Sequence, residues 1–171
     1  MLHLPDGPAA GGVAVFGRLE PDGDDLDALC EALVTEGLAA FRVAYRRPAT
    51  FETALADVAG AVRSLKAHPL VAERLAVVGH GTGAAVAAIA AGRDSRIAAA
   101  VLVDAPAEVA DPRWRPMAEL SRTRARVLLV GGDADRYGAV LMQARVRTDR
   151  LGGAEPEVSA KIAAWLRSTL G

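Results

Sequence analysis

The alternation of short apolar segments with amphipathic ones constrains the fold of this chain more than any other feature. Apolar runs predict strands at 12–16, 38–45, 75–79, 97–104 and 126–132. Helical spacing of apolar residues predicts helices at 26–37, 51–67, 83–92 and 157–170. Strands that are apolar on both faces need cover on both sides. The sequence therefore predicts an α/β fold: a doubly wound, mainly parallel sheet of five or six strands with helices on both faces.

The chain of 171 residues is predicted to form a single domain over 1–171. Asp24 or Asp25 is expected to cap the helix at 26–37, and Pro156 suits the first turn of the last helix. The least regular segment, 105–125, holds three prolines and Trp114. It is predicted to be a loop excursion anchored by Trp114, with cover over a site as the alternative, and no cap domain is expected.

The charge balance argues against nucleic acid as a partner, because the net charge is −1 and such partners need a basic surplus. Two local clusters are predicted to be solvated surface. The acidic one comprises Glu20, Asp22, Asp24, Asp25 and Asp27, and the basic one Arg113, Arg115, Arg122, Arg124 and Arg126.

The single cysteine, Cys30, has helical spacing to neighbouring leucines and is predicted to be a small core residue. One cysteine cannot form an internal disulfide, which suits a reducing cytoplasm. No segment approaches the roughly 20 apolar residues of a membrane span, and the N-terminal residues lack the pattern of a signal peptide. The sequence therefore predicts a cytoplasmic protein with no membrane partner.

Residues 75–84, LAVVGHGTGA, place a glycine-rich turn at the carboxyl end of the third strand, where doubly wound sheets build sites. One interpretation is a dinucleotide fingerprint, with Gly79, Gly81 and Ala84 in the pattern G-x-G-x-x-G/A and Asp104 at the end of the next strand. That interpretation predicts NAD(P) binding. The pattern has low specificity, and it follows two strands and two helices instead of opening the fold.

The other interpretation is a nucleophile elbow, G-x-S-x-G, with Gly81 in place of the serine. Five segments carry this interpretation, in chain order GVAVFGRLEPDGDDLDALCEALVTEGLAAFRVAYR, RLAVVGHGTGAAVAAIAA, IAAAVLVDAP, RVLLVGGDADRYGAV and EVSAKIAAWLRSTL. Their order and spacing resemble the α/β-hydrolase superfamily, in particular its dienelactone-hydrolase-like members. The resemblance begins near residue 11 and implies a minimal α/β-hydrolase fold.

The resemblance also implies a degenerate catalytic triad. The nucleophile position is Gly81, and Asp135 stands at the acid position, with Asp133 as the alternative. The histidine expected around 153–155 is missing, and none of His3, His68 and His80 matches that place. Without a nucleophile and its base no acyl-enzyme can form.

The binding half of the site is expected to persist. In the family, the backbone N–H of the residue after the nucleophile, here Thr82, helps to form the oxyanion hole, and Gly17 or Arg18 would supply the second donor. The predicted ligand-binding residues are Gly17, Arg18, His80, Gly81 and Thr82. The expected ligand is a small anion or acyl compound. Thr82 is expected to be a helix-start residue, not a nucleophile, and His80 a buried, hydrogen-bonded side chain.

Three functions remain open at this point. The first is a non-hydrolytic pseudoenzyme that binds a small ligand or acts as a homodimer or as the partner of an active hydrolase relative. The second is a lyase, isomerase or cyclase that uses His80, Asp104 or Asp135 for acid–base chemistry without a covalent step. The third is the NAD(P)-binding protein described above. No cofactor is expected for the first two functions, and no side-chain cluster has metal-ligand spacing.

Overall fold

The computed structural model describes residues 1–21, 23–152 and 157–171. Its strands are β1 (Leu2–His3), β2 (Gly12–Phe16), β3 (Ala39–Arg42), β4 (Leu75–His80), β5 (Ile97–Val103), β6 (Arg126–Val130) and β7 (Thr148–Leu151). Its helices are α1 (Asp27–Thr35), α2 (Phe51–Ala67), α3 (Thr82–Arg93), α4 (Pro116–Leu120), α5 (Ala134–Gln143) and α6 (Val158–Leu170). Strands and helices alternate along most of the chain, as the sequence predicts.

The strands form one sheet in the order β1-β3-β2-β4-β5-β6-β7. Strand β1 is antiparallel to β3, and every other neighbouring pair is parallel. The predicted fold class, a doubly wound and mainly parallel sheet, is confirmed. The sheet has seven strands instead of five or six, because the two short edge strands β1 and β7 add to the five predicted ones.

Helices cover both faces of the sheet, and two cores result. Along β2, Ala14 and Phe16 face the core built with α2 to α5, whereas Val13 and Val15 face the core built with α1 and α6. This alternation follows from the period of two in a strand. Cys30 is buried in the α1/α6 core, as predicted, and burial raises the pKa of its thiol.

The chain reverses its direction of travel across the sheet between β2 and β4. Strand β2 is followed by α1 and then by β3 on one side, whereas β4 lies on the other side of β2. The crevice at the carboxyl ends of β2 and β4 is thus the switch point where open α/β sheets bind ligands. The loop after β2 and the turn after β4 meet there.

Leu26 occupies the N-cap position of α1, so the prediction that Asp24 or Asp25 caps this helix is wrong. The N–H of Asp27 at the start of the helix donates to Oδ1 of Asp25, whereas the Asp24 carboxylate points to the switch-point crevice. Pro156 lies outside the described residues, so its predicted place in the last helix is not described.

The segment 105–125 is anchored at Trp114. The Trp114 ring stacks on Phe51 with 5.7 Å between the ring centroids, and the Arg93 guanidinium lies 5.5 Å from the Trp114 centroid. The short helix α4 belongs to the same segment, and its Leu120 is fully buried. The interpretation of Trp114 as an anchor is confirmed.

Candidate functional site

The turn after β4 has the backbone geometry of a sharp elbow. Gly81 stands between β4 and α3 with φ 60° and ψ −127°, a conformation that disfavours residues with a Cβ. Its two flanking glycines are held by close packing: a Cβ on Gly79 would lie 2.2 Å from the Gly83 carbonyl oxygen, and one on Gly83 would lie 2.1 Å from the Gly17 carbonyl oxygen. The glycine frame of the turn is therefore required by sterics.

Arg18 covers the position from which a nucleophile would project. A Cβ on residue 81 would lie 2.8 Å from Cγ and 2.9 Å from Nε of Arg18, closer than real Cβ atoms approach. The Arg18 side chain is half exposed, and its Nε lies 3.7 Å from Oδ1 of Asp24. Residue 81 thus carries no side-chain oxygen or sulfur, and a larger residue there would require the half-exposed Arg18 side chain to move.

Asp24 accepts a hydrogen bond from one of the two backbone N–H groups predicted to complete an oxyanion hole. Its Oδ2 accepts the backbone N–H of Arg18 at 2.9 Å. Arg18 was predicted as one of two residues able to complete an oxyanion hole with Thr82. Because the backbone N–H of Arg18 already donates to the Asp24 carboxylate, this N–H is not available to an anionic ligand. The same carboxylate lies 2.7 Å from where a Cβ of Gly17 would stand.

His80 lies between two carboxylates. Its Nδ1 is 2.7 Å from Oδ2 of Asp24, and its Nε2 is 3.3 Å from Oδ2 of Asp104. A carboxylate only accepts hydrogen bonds, so the short contact assigns a proton to Nδ1. Burial raises the pKa of Asp24, but the hydrogen bonds from His80 and Arg18 outweigh burial and hold that pKa below its ordinary value. His80 is hydrogen-bonded, as predicted, but it remains partly exposed.

Asp104 holds its side chain beside His80 from an unusual backbone conformation. It directly follows β5 and has φ 50°, in the left-handed region. Its N–H donates to the carbonyl of Val130 on the neighbouring strand. Its carboxylate is half exposed and lines the cavity over the elbow. Of the three acid–base residues named from the sequence, the structure brings His80 and Asp104 together.

Thr82 uses its hydroxyl for structure. Its Oγ1 accepts the backbone N–H of Leu19 at 2.9 Å and donates to Oε2 of Glu20 at 2.8 Å. The hydroxyl therefore fastens the loop after β2 to the start of α3. This engagement agrees with the predicted structural role for Thr82.

Tyr45 fixes the other side of the same loop. Its hydroxyl donates to the Gly17 carbonyl at 2.8 Å, and its ring packs edge-on against Phe16. Burial, reinforced by the negative charge of Asp24, raises the pKa of Tyr45 well above its ordinary value. The phenol is thus a permanent donor at neutral pH.

Neither of the two acids named from the resemblance lies in this cluster. Asp135 is 97% exposed and pairs with Arg150 at 2.6 Å. Asp133 accepts the backbone N–H of Ala107 at 2.8 Å and so holds the loop after β5. The expected histidine position at 153–155 falls outside the described residues. Within the described residues the carboxylates beside His80 are those of Asp24 and Asp104 instead, on the loop after β2 and at the end of β5.

A cavity of about 440 Å³ opens over the elbow. Its lining comprises Arg18, Glu20, Gly23, Gly81, Thr82, Asp104 and Pro106. Two carboxylates and one guanidinium line it, and Asp24 lies just behind them. Four of the five predicted ligand-binding residues, Arg18, His80, Gly81 and Thr82, line this cavity or contact its lining, and Gly17 lies below them.

Glu20 and Asp24 were missed as site residues from the sequence, where they belong to an acidic cluster interpreted as solvated surface. One signal was present: both follow β2 by a few residues, and β2 ends at the switch point. Their place in the loop after β2, next to the switch point, identifies them as site residues better than their residue type does.

The dinucleotide interpretation meets two obstacles in this geometry. Arg18 fills the space above Gly81 through which a pyrophosphate would approach the backbone. Asp104, which would bind the ribose, faces His80. Among the residues that the structure describes, no group of three or more His, Cys, Asp or Glu could hold a metal ion. Within the same ranges, no helix has the length and apolar character needed to cross a bilayer.

Solved structures with this architecture include esterases and hydrolases. The esterase domain of a Rhodothermus marinus protein is 21% identical with a TM-score of 0.73, covering 99% of this chain and 92% of its own. A Klebsiella pneumoniae protein assigned as a dienelactone hydrolase is 17% identical with a TM-score of 0.72, covering 96% of this chain and 88% of its own. The 2,6-dihydroxy-pseudo-oxynicotine hydrolase is 13% identical with a TM-score of 0.78; 99% of this chain matches 63% of that protein's length.

The chain therefore has the α/β-hydrolase fold, of the dienelactone-hydrolase-like kind that its sequence resembles. At these levels of identity the likeness concerns the fold. No protein-family model matches the sequence, and no curated protein matches it either.

Proposed function

We propose that this chain is a non-hydrolytic protein on the α/β-hydrolase fold, which binds a small ligand over its elbow without forming an acyl-enzyme. The observation that carries the proposal is Gly81 at the tip of the elbow, with the half-exposed Arg18 side chain lying over it. A hydrolase of this fold needs an oxygen or sulfur at that point and a base beside it. Here the point carries a hydrogen atom and the approach to it is filled by a guanidinium stem.

The charges favour a neutral or cationic ligand over the anion expected from the sequence. Glu20 and Asp104 line the cavity, Asp24 lies behind it, and the N–H of Arg18 is bound to Asp24. A ligand carboxylate would meet two carboxylates with only Arg18 in compensation. A ligand amine or hydroxyl would find acceptors on both Glu20 and Asp104.

Matched fragments test the ligand-binding proposal. Benzylamine, benzyl alcohol and benzoate share one carbon skeleton and differ in charge, and backbone amide chemical shifts can locate where each binds. We expect the amine and the alcohol to perturb Gly81, Thr82 and Asp104, and E20Q and D104N to weaken that response. Benzoate as the only fragment to perturb these residues, or no response to any of the three, would contradict the proposal.

A second candidate function is acid–base catalysis without a covalent step, as in a lyase or isomerase. The favouring observation is His80, whose Nδ1 is fixed by Asp24 while Nε2 faces Asp104 at the cavity. Asp24 would orient the ring, and Nε2 would exchange a proton with a bound ligand in place of Asp104. The discriminating measurement is exchange of a carbon-bound proton of any ligand found: H80Q abolishes it in an enzyme, whereas a binding protein shows none.

A partner role, as a homodimer or with an active hydrolase relative, is a further form of the non-hydrolytic proposal. Native mass spectrometry of the purified chain, alone and mixed with such a relative, tests it directly. A monomer in both samples would exclude this form.

A further inference from the structure

A second cavity lies at the opposite edge of the sheet from the elbow. It has a volume of about 520 Å³ and is formed where β4, β6 and β7 begin and α6 ends. We call it the amino-edge pocket. Its lining is Arg74, Ala98, Thr123, Arg124, Ala125, Arg126, Arg145, Val146, Arg147, Ser168 and Thr169.

Four of the five arginines of the amino-edge pocket form no ion pair with a described residue, although Arg147 is near enough to Asp149 to contribute to the lowered pKa of that carboxyl. Arg126 pairs with Asp149 at 2.8 Å and stacks on Trp165. The guanidinium groups of the other four make no ion pair and no hydrogen bond to any described residue; they are Arg74, Arg124, Arg145 and Arg147. No Asp or Glu belongs to the lining.

This concentration of charge contrasts with the rest of the molecule. The whole chain has a net charge of −1, and eight of its thirteen arginines outside the pocket form an ion pair with a described residue, as Arg93 does with Glu119. Four like charges around one concavity repel one another, and a bound polyanion would remove that repulsion. Guanidinium groups also match phosphoryl oxygens in geometry, because they donate two parallel hydrogen bonds.

The lining of the pocket also contains two threonines, whose hydroxyl groups differ in their partners. Oγ1 of Thr169 is buried and has no hydrogen-bond partner among the residues that the structure describes. That oxygen exposes almost no surface, so a ligand would reach it only after rotation of the Thr169 side chain, and the arginines carry the inference. Thr123, by contrast, donates to the Ala91 carbonyl and accepts the N–H of Ala125, so it is fully used within the fold.

Arg145 is held in the lining by a conformation that its residue type disfavours. It has φ 59° just after α5, at a place where helices usually have glycine. An arginine there gains nothing from a described side-chain contact. A ligand that engages the guanidinium would offset the backbone strain.

We propose that the amino-edge pocket binds a small phosphorylated molecule with at least two phosphoryl groups. Two or more groups are needed to engage arginines that reach the pocket from separate segments, at 74, 124, 145 and 147. A compact ligand fits better than a nucleic-acid strand, because the arginines converge on one concavity and do not form a track along the surface. The site is independent of the elbow and of the function proposed for it.

Calorimetric titration of the purified chain with inorganic tripolyphosphate, pyrophosphate and orthophosphate at constant ionic strength tests this inference. We expect affinity to rise steeply from orthophosphate to tripolyphosphate, and R124Q and R147Q each to weaken tripolyphosphate binding about tenfold. R63Q is the matched control, since Arg63 is exposed on α2 and lies outside the pocket lining. Unchanged melting temperatures of these surface variants would show that the fold is kept.

Several results would overturn the inference. Equal, weak heats for all three anions would indicate that they only screen the charges of the protein. An equal loss of tripolyphosphate affinity in R63Q would indicate a dependence on net charge and not on the pocket. Tighter binding of a single-stranded oligonucleotide than of tripolyphosphate would indicate that the pocket binds nucleic acid and not a small ligand. The elbow variants E20Q and D104N should leave tripolyphosphate binding unchanged, so failure here and failure of the proposed function are separate outcomes.

Discussion

Oδ2 of Asp24 lies 2.7 Å from Nδ1 of His80, and the same oxygen accepts the backbone N–H of Arg18. One carboxylate oxygen therefore joins the loop after β2 to the end of β4. It fixes the histidine ring, and it accepts the backbone N–H of Arg18, which with Gly17 is one of the two donors predicted to complete an oxyanion hole. The electrostatics of the site depend on this contact.

Replacement of Asp24 by asparagine should lower the free energy of unfolding by about 1–3 kcal/mol at pH 7, because a charge-assisted hydrogen bond is lost. The folded-state pKa of Asp24 is depressed, so its stabilising contribution is present above the ordinary value of 3.8 and is lost as the pH falls through the folded value. The difference between wild type and D24N should therefore shrink below about pH 3.8. Urea denaturation between pH 2.5 and 7, set as the experimental range for this linkage, measures it.

The control for that experiment is D25N. Asp25 accepts the N–H of Asp27, and an asparagine oxygen can accept it equally. D25N should leave the pH dependence unchanged. A constant difference between wild type and D24N over the whole range would show that the Asp24 charge does not contribute.

Introduction of serine at position 81 should destabilise the protein and give no esterase activity. The left-handed backbone costs a residue with a Cβ about 1–2 kcal/mol, and the new Cβ would also displace Arg18. In the double variant R18A/G81S, the stability lost through the clash with Arg18 should be recovered, whereas the cost of the left-handed backbone should remain. Denaturation of both variants measures the two parts, and a G81S protein as stable as wild type would argue against the crowding.

Replacement of Gly83 by alanine should be more damaging than a usual helix substitution. The added Cβ would lie 2.1 Å from the Gly17 carbonyl, so the loop after β2 must move away from α3 at a cost of about 3 kcal/mol or more. G60A is the matched control, because its Cβ would meet nothing closer than 3.8 Å in α2. That substitution should stabilise the chain by about 0.5–1 kcal/mol. Similar thermal shifts in both variants would refute the close packing of the elbow.

Replacement of Arg145 by glycine should raise the free energy of unfolding by about 0.5–1 kcal/mol. Glycine accepts the left-handed conformation that arginine adopts there, and the gain is reduced by the greater freedom of the unfolded chain. R145Q removes the charge but keeps the Cβ, so it separates backbone relief from relief of charge repulsion. A loss of stability in R145G would mean that the arginine side chain supports the fold.

The repeating pattern of strand and helix could be predicted from the sequence because apolar periodicity reports burial directly. Helix α2 begins and ends at the predicted residues, and β2 likewise. Strand β1 is two residues long, and β7 reads TDRL with no buried position, so neither has an apolar signal. Helix α5 was missed because Gly138 interrupts a segment with few buried positions.

The site was predicted only in part, for a physical reason. The elbow is local in sequence, and the spacing of its glycines reveals it. The contacts of Asp24 with His80 and of Glu20 with Thr82 join residues far apart in the chain, and only the folded sheet brings them together. The crowding of Gly81 by Arg18 is likewise a property of the fold.

The central claim is that the elbow of this α/β-hydrolase fold supports no covalent acyl chemistry. Its most direct test exposes the purified protein to p-nitrophenyl acetate and to a fluorophosphonate, with nitrophenol release and intact protein mass as readouts. We expect release no faster than with heat-unfolded protein and no added mass. Saturable hydrolysis with kcat/KM on the order of 10⁴ M⁻¹s⁻¹, as in ordinary enzymes, or a phosphonate adduct on a residue of the elbow cavity, would contradict the claim.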